Sequence, residues 1–305
     1  MSPAARALIG VPVATLWSDP SAPRPIDRHV LGSAPDVGAW VEALGLEERQ
    51  DLGGRVVTQA LLGEPVLVAE ERHGWALVNI PGQPSSLDRR GYPGWLPLEQ
   101  LVDDRREPST KRHRVVRPIL DAKTTTGGGP GRLLLSVATP LYSQRANGHR
   151  ERDAPAAELE TRTGLLVVAP TDAVLPEQAL LREGSALIET AGRLLGIEYL
   201  WGGTSGFGLD CSGLIWLVLR AHGIEVPRDA HDQATVGADV APQDLRAGDL
   251  VFFADRGGEG RFHHVGMALN RSSMLHAPRP GRRVEVASLE DPAYADRLTQ
   301  GRRLC

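Results

Sequence analysis

Along the first hundred residues, apolar and polar positions alternate over short stretches. The runs Val11 to Leu16, Arg55 to Leu61, Pro65 to Val68, Trp75 to Ile80 and Gly94 to Leu96 are brief and bounded by turn residues. That pattern predicts strands. A helix-like insertion, Val37 to Leu52, lies between the first two. Ala7 to Trp17 is mildly apolar but holds Pro12 and closes at Asp19-Pro20, so it reads as the opening strand and not as a leader peptide. A charged, proline-bearing link, Arg105 to Arg117, leads to a second strand-like set: Leu133 to Val137, Ala138 to Tyr142 and Leu165 to Ala169. Beyond residue 173 the period lengthens. Leu180, Ala186, Leu187, Ala191, Leu194 and Leu195 recur at helical spacing, and Gly196 can end that helix. Leu214 to Leu219 continues a second helix that Gly223 would stop. Strands are then expected at Leu250 to Ala254, His263 to Leu269, Met274 to His276 and Arg283 to Val286. Helices followed by strands predict an α+β unit over 174–305, behind all-β units over 1–108 and 109–173.

Composition narrows the class. The 305 residues allow two or three domains, and a net charge of −4 gives no reason to expect nucleic acid or an anionic membrane as partner. No apolar run approaches the ~20 residues of a spanning helix, so membrane insertion is not expected. Two cysteines, Cys211 and the C-terminal Cys305, make no disulfide framework. A free thiol suits a reducing compartment, so the expectation is a cytoplasmic protein, with export as the alternative, acting as a monomer or weak oligomer.

Candidate chemistry centres on Cys211. It follows a glycine-rich loop, Gly202 to Gly208, and begins the apolar helix through Asp210-Cys211-Ser212-Gly213. Unpaired N–H groups and the helix dipole at that position favour a thiolate, the attacking form. Downstream stand His263-His264 and His276 on strand-like segments. A Cys/His/His order can form a nucleophile, base and orienter. Alternation puts His264 on one face with Gly266 and Ala268, and His263 on the other with Val265 and Met267. The small neighbours of His264 leave room for the cysteine helix, which selects His264 as base and His276 as the group that fixes its tautomer. Asp210 is also a ready helix N-cap. Gly127 to Gly131 lacks the Gly-Lys-Ser/Thr end of a phosphate loop and reads as a plain loop.

These residues carry a resemblance. Tyr199, Gly202-Gly203, Asp210 to Gly213, Gly248 to Phe253, His264 to Gly266 and His276-Ala277 resemble the NlpC-type, papain-like cell-wall peptidases in order and spacing. Gly63 to Val68, Gly74 to Val78 and Gly94 to Pro97 resemble bacterial SH3-like barrels, and residues 109–173 look like a second, degenerate one. Two such barrels ahead of the peptidase, with the stretch Gln83 to Trp95, are similar to the γ-D-glutamyl-L-diamino acid endopeptidases, also called dipeptidyl-peptidase VI.

The resemblance implies Cys211 as nucleophile, His264 as base and His276 as third member. It also implies a murein-derived peptide with a free N-terminal L-Ala as substrate, cut after D-Glu and before meso-diaminopimelate or Lys, with no metal or organic cofactor. The oxyanion would be held by the Cys211 N–H and Tyr199. Asp210 would supply charge for the ammonium, with Tyr92 and Ser212 as acceptors. Asp229 and Ala230 would line the peptide site. Where relatives carry Glu before a Thr-Gln pair this chain has Val57, and Ala230 stands where Ser is commoner, so selectivity for the free amine is expected to be weaker. Rival readings are a wall-degrading endopeptidase without that selectivity, an acyltransferase or amidase, a non-catalytic wall-binding module, and a zinc site from Cys211, His263, His264 and His276, which the opposed faces of the paired histidines disfavour.

Overall fold

The short-period half of the chain folds as two seven-stranded antiparallel sheets. The computed structural model describes residues 5–104, 109, 111–124, 131–143, 155–254 and 262–304. The first sheet runs, in spatial order, Val56–Leu61, Val13–Trp17, Tyr92–Pro97, Trp75–Ile80, Pro65–Arg72, Ala5–Ile9 and Leu101–Asp103. The second runs Gly131–Ser136, Ile119–Thr124, Leu166–Pro170, Ala156–Glu160, Pro140–Ser143, Arg112–Val115 and Val174–Pro176. Counted from its own first strand, each sheet has the same order, 3-2-6-5-4-1-7. Two separate apolar cores fill them, one around Leu16, Ala60, Val78 and Leu96, the other around Leu120, Leu135, Leu141 and Val167.

The opening strand expected over Ala7 to Trp17 is two strands, Ala5–Ile9 and Val13–Trp17. Pro12 has no N–H to continue a ladder, and the chain bends there. The helical insertion is also divided, into Val37–Ala43 and Leu46–Gln50, because Leu44 is extended and Gly45 follows it. Its Trp40 packs on Trp17 with ring centroids 6.2 Å apart and donates to buried Asp27 at 2.9 Å.

The C-terminal part is α+β. Its first helix is Gly184–Gly192; Leu180 lies outside it, just past the single turn Glu177–Ala179. The second helix is Cys211–Ala221, with Asp210 as N-cap and Gly223 in the left-handed region just beyond its end. A six-stranded antiparallel sheet follows, in the order Ala238–Val240, Leu298–Arg303, Leu250–Phe253, His264–Ala268, Ser273–His276, Glu285–Ser288. The strand expected at Arg283 to Val286 is thus displaced by two residues, and two strands of this sheet were not expected. Leu250, Phe252, Val265, Met267 and Leu275 cover the Cys211 helix, whereas Val251, Phe253, Ala268 and Met274 form a separate core behind the sheet.

The glycine-rich loop is clamped between the three parts. The Gln59 side chain accepts from the Thr204 N–H at 3.2 Å and the Ser205 hydroxyl at 2.8 Å. Gly206 donates to Ser136 Oγ at 2.9 Å, and a Cβ there would lie 2.0 Å from the Pro118 carbonyl oxygen. Ion pairs add to this contact: buried Glu64 meets Arg220 of the Cys211 helix, and Arg162 meets Asp104 at 2.9 Å. Among the described residues, no helix is long and apolar enough to cross a membrane.

One substitution tests the close approach beneath the cysteine. Gly213 lies inside the Cys211 helix, where Ala would ordinarily gain about 1 kcal/mol. A Cβ at Gly213 would sit 2.0 Å from the Gly203 carbonyl oxygen. Gly213→Ala should therefore destabilise, by about 1–3 kcal/mol in urea unfolding, and an unchanged or raised midpoint would refute the tight seating of the helix.

Candidate active site

Helix capping places the nucleophile. Asp210 Oδ1 accepts from the Gly213 N–H at 2.6 Å, which fixes Cys211 as the first helical residue. The Cys211 N–H therefore has no carbonyl partner within the helix. Backbone groups of Val265 and Ser212 lie close enough to the thiol to favour its ionised form. The sulfur thus meets the sheet at the start of the His264 strand.

His264 and His276 come together as expected, but for a different reason. Val265 and Met267 face the helix, so His264 and Gly266 lie on the opposite side, where the Gly266 position is filled by the Met274 sulfur and His276 Cβ. The small residues beside His264 make room for Met274 and His276 and not for the cysteine helix. His264 reaches the thiol's cavity because it begins its strand, at the end of the sheet. His264 Nε2 and His276 Nδ1 are 2.8 Å apart, both rings buried. Beyond them, His276 Nε2 lies 3.5 Å from the Tyr294 hydroxyl and 3.8 Å from the Glu285 carboxylate.

That geometry orders the protons. If Nδ1 of His264 receives the thiol proton, Nε2 carries the ring hydrogen and donates to His276 Nδ1. His276 then holds its own hydrogen on Nε2, toward Glu285 and Tyr294. Burial pushes the Cys211 thiol up to about 12, with nearby Asp210 adding to the effect. Burial likewise holds the His264 imidazole down at about 3 and His276 at about 4. Burial thus disfavours the charged form of the thiol and of both imidazoles. Burial opposes the thiolate that the helix end favours.

Tyr199, Cys211, His263 and His264 line one cavity of about 690 Å³. Burial and the neighbouring Cys211 and Asp210 push the Tyr199 phenol well up, so it stays a donor. Exposed His263 borders the cavity and lies outside the His264–His276 pair.

The residues expected to hold an ammonium or to line the peptide site divide into two sets. Asp210 and Ser212 are committed internally. Asp210 accepts from the Gly202 N–H at 2.9 Å, and Arg228 grips both its oxygens at 2.6 and 3.1 Å. Ser212 donates to Asp210 at 3.2 Å and accepts from Arg228 at 2.9 Å. Asp210 thus serves as cap and as counter-ion to a buried arginine. Tyr92 and Asp229 form the other set: the Tyr92 hydroxyl lies 3.2 Å from both Asp229 oxygens. Burial raises the Asp229 carboxyl above its ordinary range, with Arg228 opposing. Ala230, buried, begins the short helix Ala230–Gln233 that Asp229 precedes. Half-buried Val57 packs at the edge of the first barrel's core.

Arg228 is the functional residue that sequence reasoning missed. It is fully buried, and Asp210 keeps it charged against the pull of burial. Its Nε donates to Thr58 Oγ1 of the first sheet at 3.0 Å. An arginine beside Asp229 was legible, but its carboxylate and hydroxyl partners lie far away along the chain. Glu285 and Tyr294 were missed for the same reason. Among the described residues, no group of three or more His, Cys, Asp or Glu side chains is placed to hold a metal ion. Cys305 and most of the Gly127 to Gly131 loop lie outside the described residues.

Residues 196–303 match the family model described as NlpC/P60 family, and residues 49–101 match that of the bacterial dipeptidyl-peptidase Sh3 domain. A γ-D-glutamyl-L-lysine dipeptidyl-peptidase of Bacillus subtilis is 38% identical, over 95% of this chain and 96% of the relative. One of the same name from Bacillus cereus is 34% identical over 98% and 90%. The crystal structure of a NlpC/P60 family protein from Bacillus cereus superposes with a TM-score of 0.90 at 31% identity, covering 98% and 99% of the two chains.

Two measurements check this geometry. In a Cys305→Ser background, alkylation of Cys211 by iodoacetamide should be slow at neutral pH and rise about tenfold per pH unit, as for a neutral buried thiol. A flat rate from mildly acid to mildly alkaline pH would instead reveal a thiolate–imidazolium pair. Arg228→Met leaves the Asp210 charge buried without its counter-ion and should cost about 3–5 kcal/mol in urea unfolding. A loss below about 1 kcal/mol would mean that water already screens the pair.

Proposed function

The chain belongs to the NlpC/P60 family of cysteine-type peptidases, and from that premise we propose that it hydrolyses the γ-D-glutamyl-L-diamino acid bond of murein-derived peptides, releasing L-Ala-D-Glu from substrates with a free N-terminal amine. The observation that carries the reading is the His264–His276 pair beside the Cys211 cavity, with the Tyr92–Asp229 pair joined to Cys211 through Arg228 and Asp210.

His264 takes the Cys211 proton as the sulfur attacks the γ-carbonyl of D-Glu. The new S–C bond places charge on the carbonyl oxygen, which the Cys211 N–H and the Tyr199 hydroxyl stabilise. His276 holds the His264 ring, and Glu285 offsets the charge that the proton brings. His264 then returns the proton to the leaving amine as the C–N bond breaks. Water, deprotonated by the same ring, hydrolyses the thioester and restores the thiol.

Asp229 and Tyr92 are the amine anchor in this reading. Asp229 has Tyr92 as its side-chain partner and keeps acceptor capacity, whereas Asp210 has none left. An ammonium would complete the Asp229 ion pair at a site where burial alone disfavours the carboxylate. An acylated nitrogen could not, and would leave acceptors unpaired at about 1–3 kcal/mol each. We read residues 109–173 as a second SH3-like barrel, supported by the strand order that it shares with the first.

Hydrolysis of L-Ala-γ-D-Glu-meso-diaminopimelate should exceed that of its N-acetyl twin by about ten- to a hundredfold in kcat/KM. Cys211→Ala should abolish both activities, and Asp229→Asn should erase most of the difference through KM. Equal hydrolysis of both peptides would remove the amine anchor and leave a wall-degrading endopeptidase. No hydrolysis of either would point to an acyltransferase on the same fold.

A further inference from the structure

We propose that the cavity beyond Cys211 is a leaving-group subsite selective for a diamino acid with a second carboxylate, meso-diaminopimelate over lysine, and that Arg279 and Arg297 read that carboxylate. The inference rests on the peptidase reading and adds the basis for choosing between the two diamino acids.

The direction of the cleft follows from proton transfer. The leaving amine must take its proton from His264, which lines this cavity. Tyr92, Arg228 and Asp229 are absent from its wall. A peptide whose ammonium sits at Asp229 and whose γ-carbonyl sits at Cys211 therefore has its other half in the cavity. The volume, about 690 Å³, accommodates an amino acid of that size. Pro278, Val286 and Ala293 give the wall apolar surface for a methylene chain.

Charge supplies the selectivity. Among the described residues the cavity is lined by three guanidinium groups (Arg279, Arg282, Arg297) and two carboxylates (Glu285, Asp291), a net charge of +1. One pair is already made, since Arg282 contacts both Glu285 oxygens at 2.8 and 2.7 Å. Asp291 caps a short helix through the Ala293 N–H at 2.8 Å. Arg279 and Arg297 have no carboxylate partner among the described residues and are exposed to the cavity. A leaving lysine carries one carboxylate and one side-chain ammonium, net zero. A leaving meso-diaminopimelate carries two carboxylates and one ammonium, net −1, which complements the wall. Two free arginines match two carboxylates, and Asp291 can receive the ammonium.

The test uses three peptides that share L-Ala-γ-D-Glu and differ in the third residue: meso-diaminopimelate, its distal carboxamide, and L-Lys. The carboxamide keeps size and shape and removes only the charge. Wild-type kcat/KM should favour the acid over both others by about five- to twentyfold, discounted for the exposure of the arginines, and the ratio should shrink with added salt. In the double variant Arg279→Gln/Arg297→Gln the acid-to-carboxamide ratio should fall to about one. Equal rates on acid and carboxamide in the wild type would overturn the proposal while leaving the peptidase intact. A preference that survives in the double variant would also overturn it. Hydrolysis of none of the three would remove the peptidase reading itself.

Discussion

The ion pair between Arg228 and Asp210 is the contact on which the site depends. Neither group is tolerable alone: Arg228 is fully buried, and Asp210 lies next to the nucleophile. Together they satisfy each other and connect three elements. Asp210 caps the Cys211 helix, Arg228 bonds Ser212 on its first turn, and its Nε reaches Thr58 on the first sheet. Thr58 is held in turn by Gln83, which also donates to the Gln59 carbonyl. The first barrel is thus part of the framework that orients the cysteine. A buried pair of this kind is a weak source of net stability but a strong source of specificity, because only one arrangement leaves no charge unpaired.

The same pair resolves an electrostatic conflict. A carboxylate at the cap of the nucleophile's helix disfavours a thiolate, and Asp210 does raise the Cys211 thiol. Arg228 works in the opposite sense, as do the backbone groups of Val265 and Ser212. The helix terminus itself contributes only about 0.3–1 kcal/mol at an exposed site, and up to about 2 when partly buried. Burial opposes these contributions and disfavours the thiolate. Burial that disfavours resting charge also strengthens interactions with charge that forms later.

Much of this arrangement was legible because it is local. Asp210-Cys211-Ser212-Gly213 specifies a cap, a nucleophile and a close helix approach within four positions. Alternation along His263 to Met267 placed the two histidines on opposite faces, but the strand begins only at His264 and both histidines line the cavity. Which face met the helix was not legible, since Val265 and Met267 are as able to cover a helix as Gly266 and Ala268 are to admit one. The strand Leu298–Arg303 is invisible to a pattern of apolar residues: its Arg302 and Arg303 pair with Asp239 and Asp249, so polar side chains hold it in the sheet. Arg228 was invisible for a different reason. Its partners are Asp210 and Thr58, and nothing in the intervening chain announces that the first sheet will pack there. The second sheet shows the converse case, where apolar runs were readable and the shared strand order with the first emerged only from pairing.

Asp210 is neutralised by Arg228 and Val57 carries no charge, whereas the Tyr92–Asp229 pair keeps acceptor capacity. Its two members come from different parts of the chain, the strand Tyr92–Pro97 of the first barrel and the turn after Arg228. That pair and Cys211 are therefore coupled through packing: the barrel that presents Tyr92 also holds Arg228 through Thr58, and Arg228 holds the cap of the Cys211 helix. Under the proposed reading, this shared framework would hold the amine anchor at a fixed distance from the sulfur.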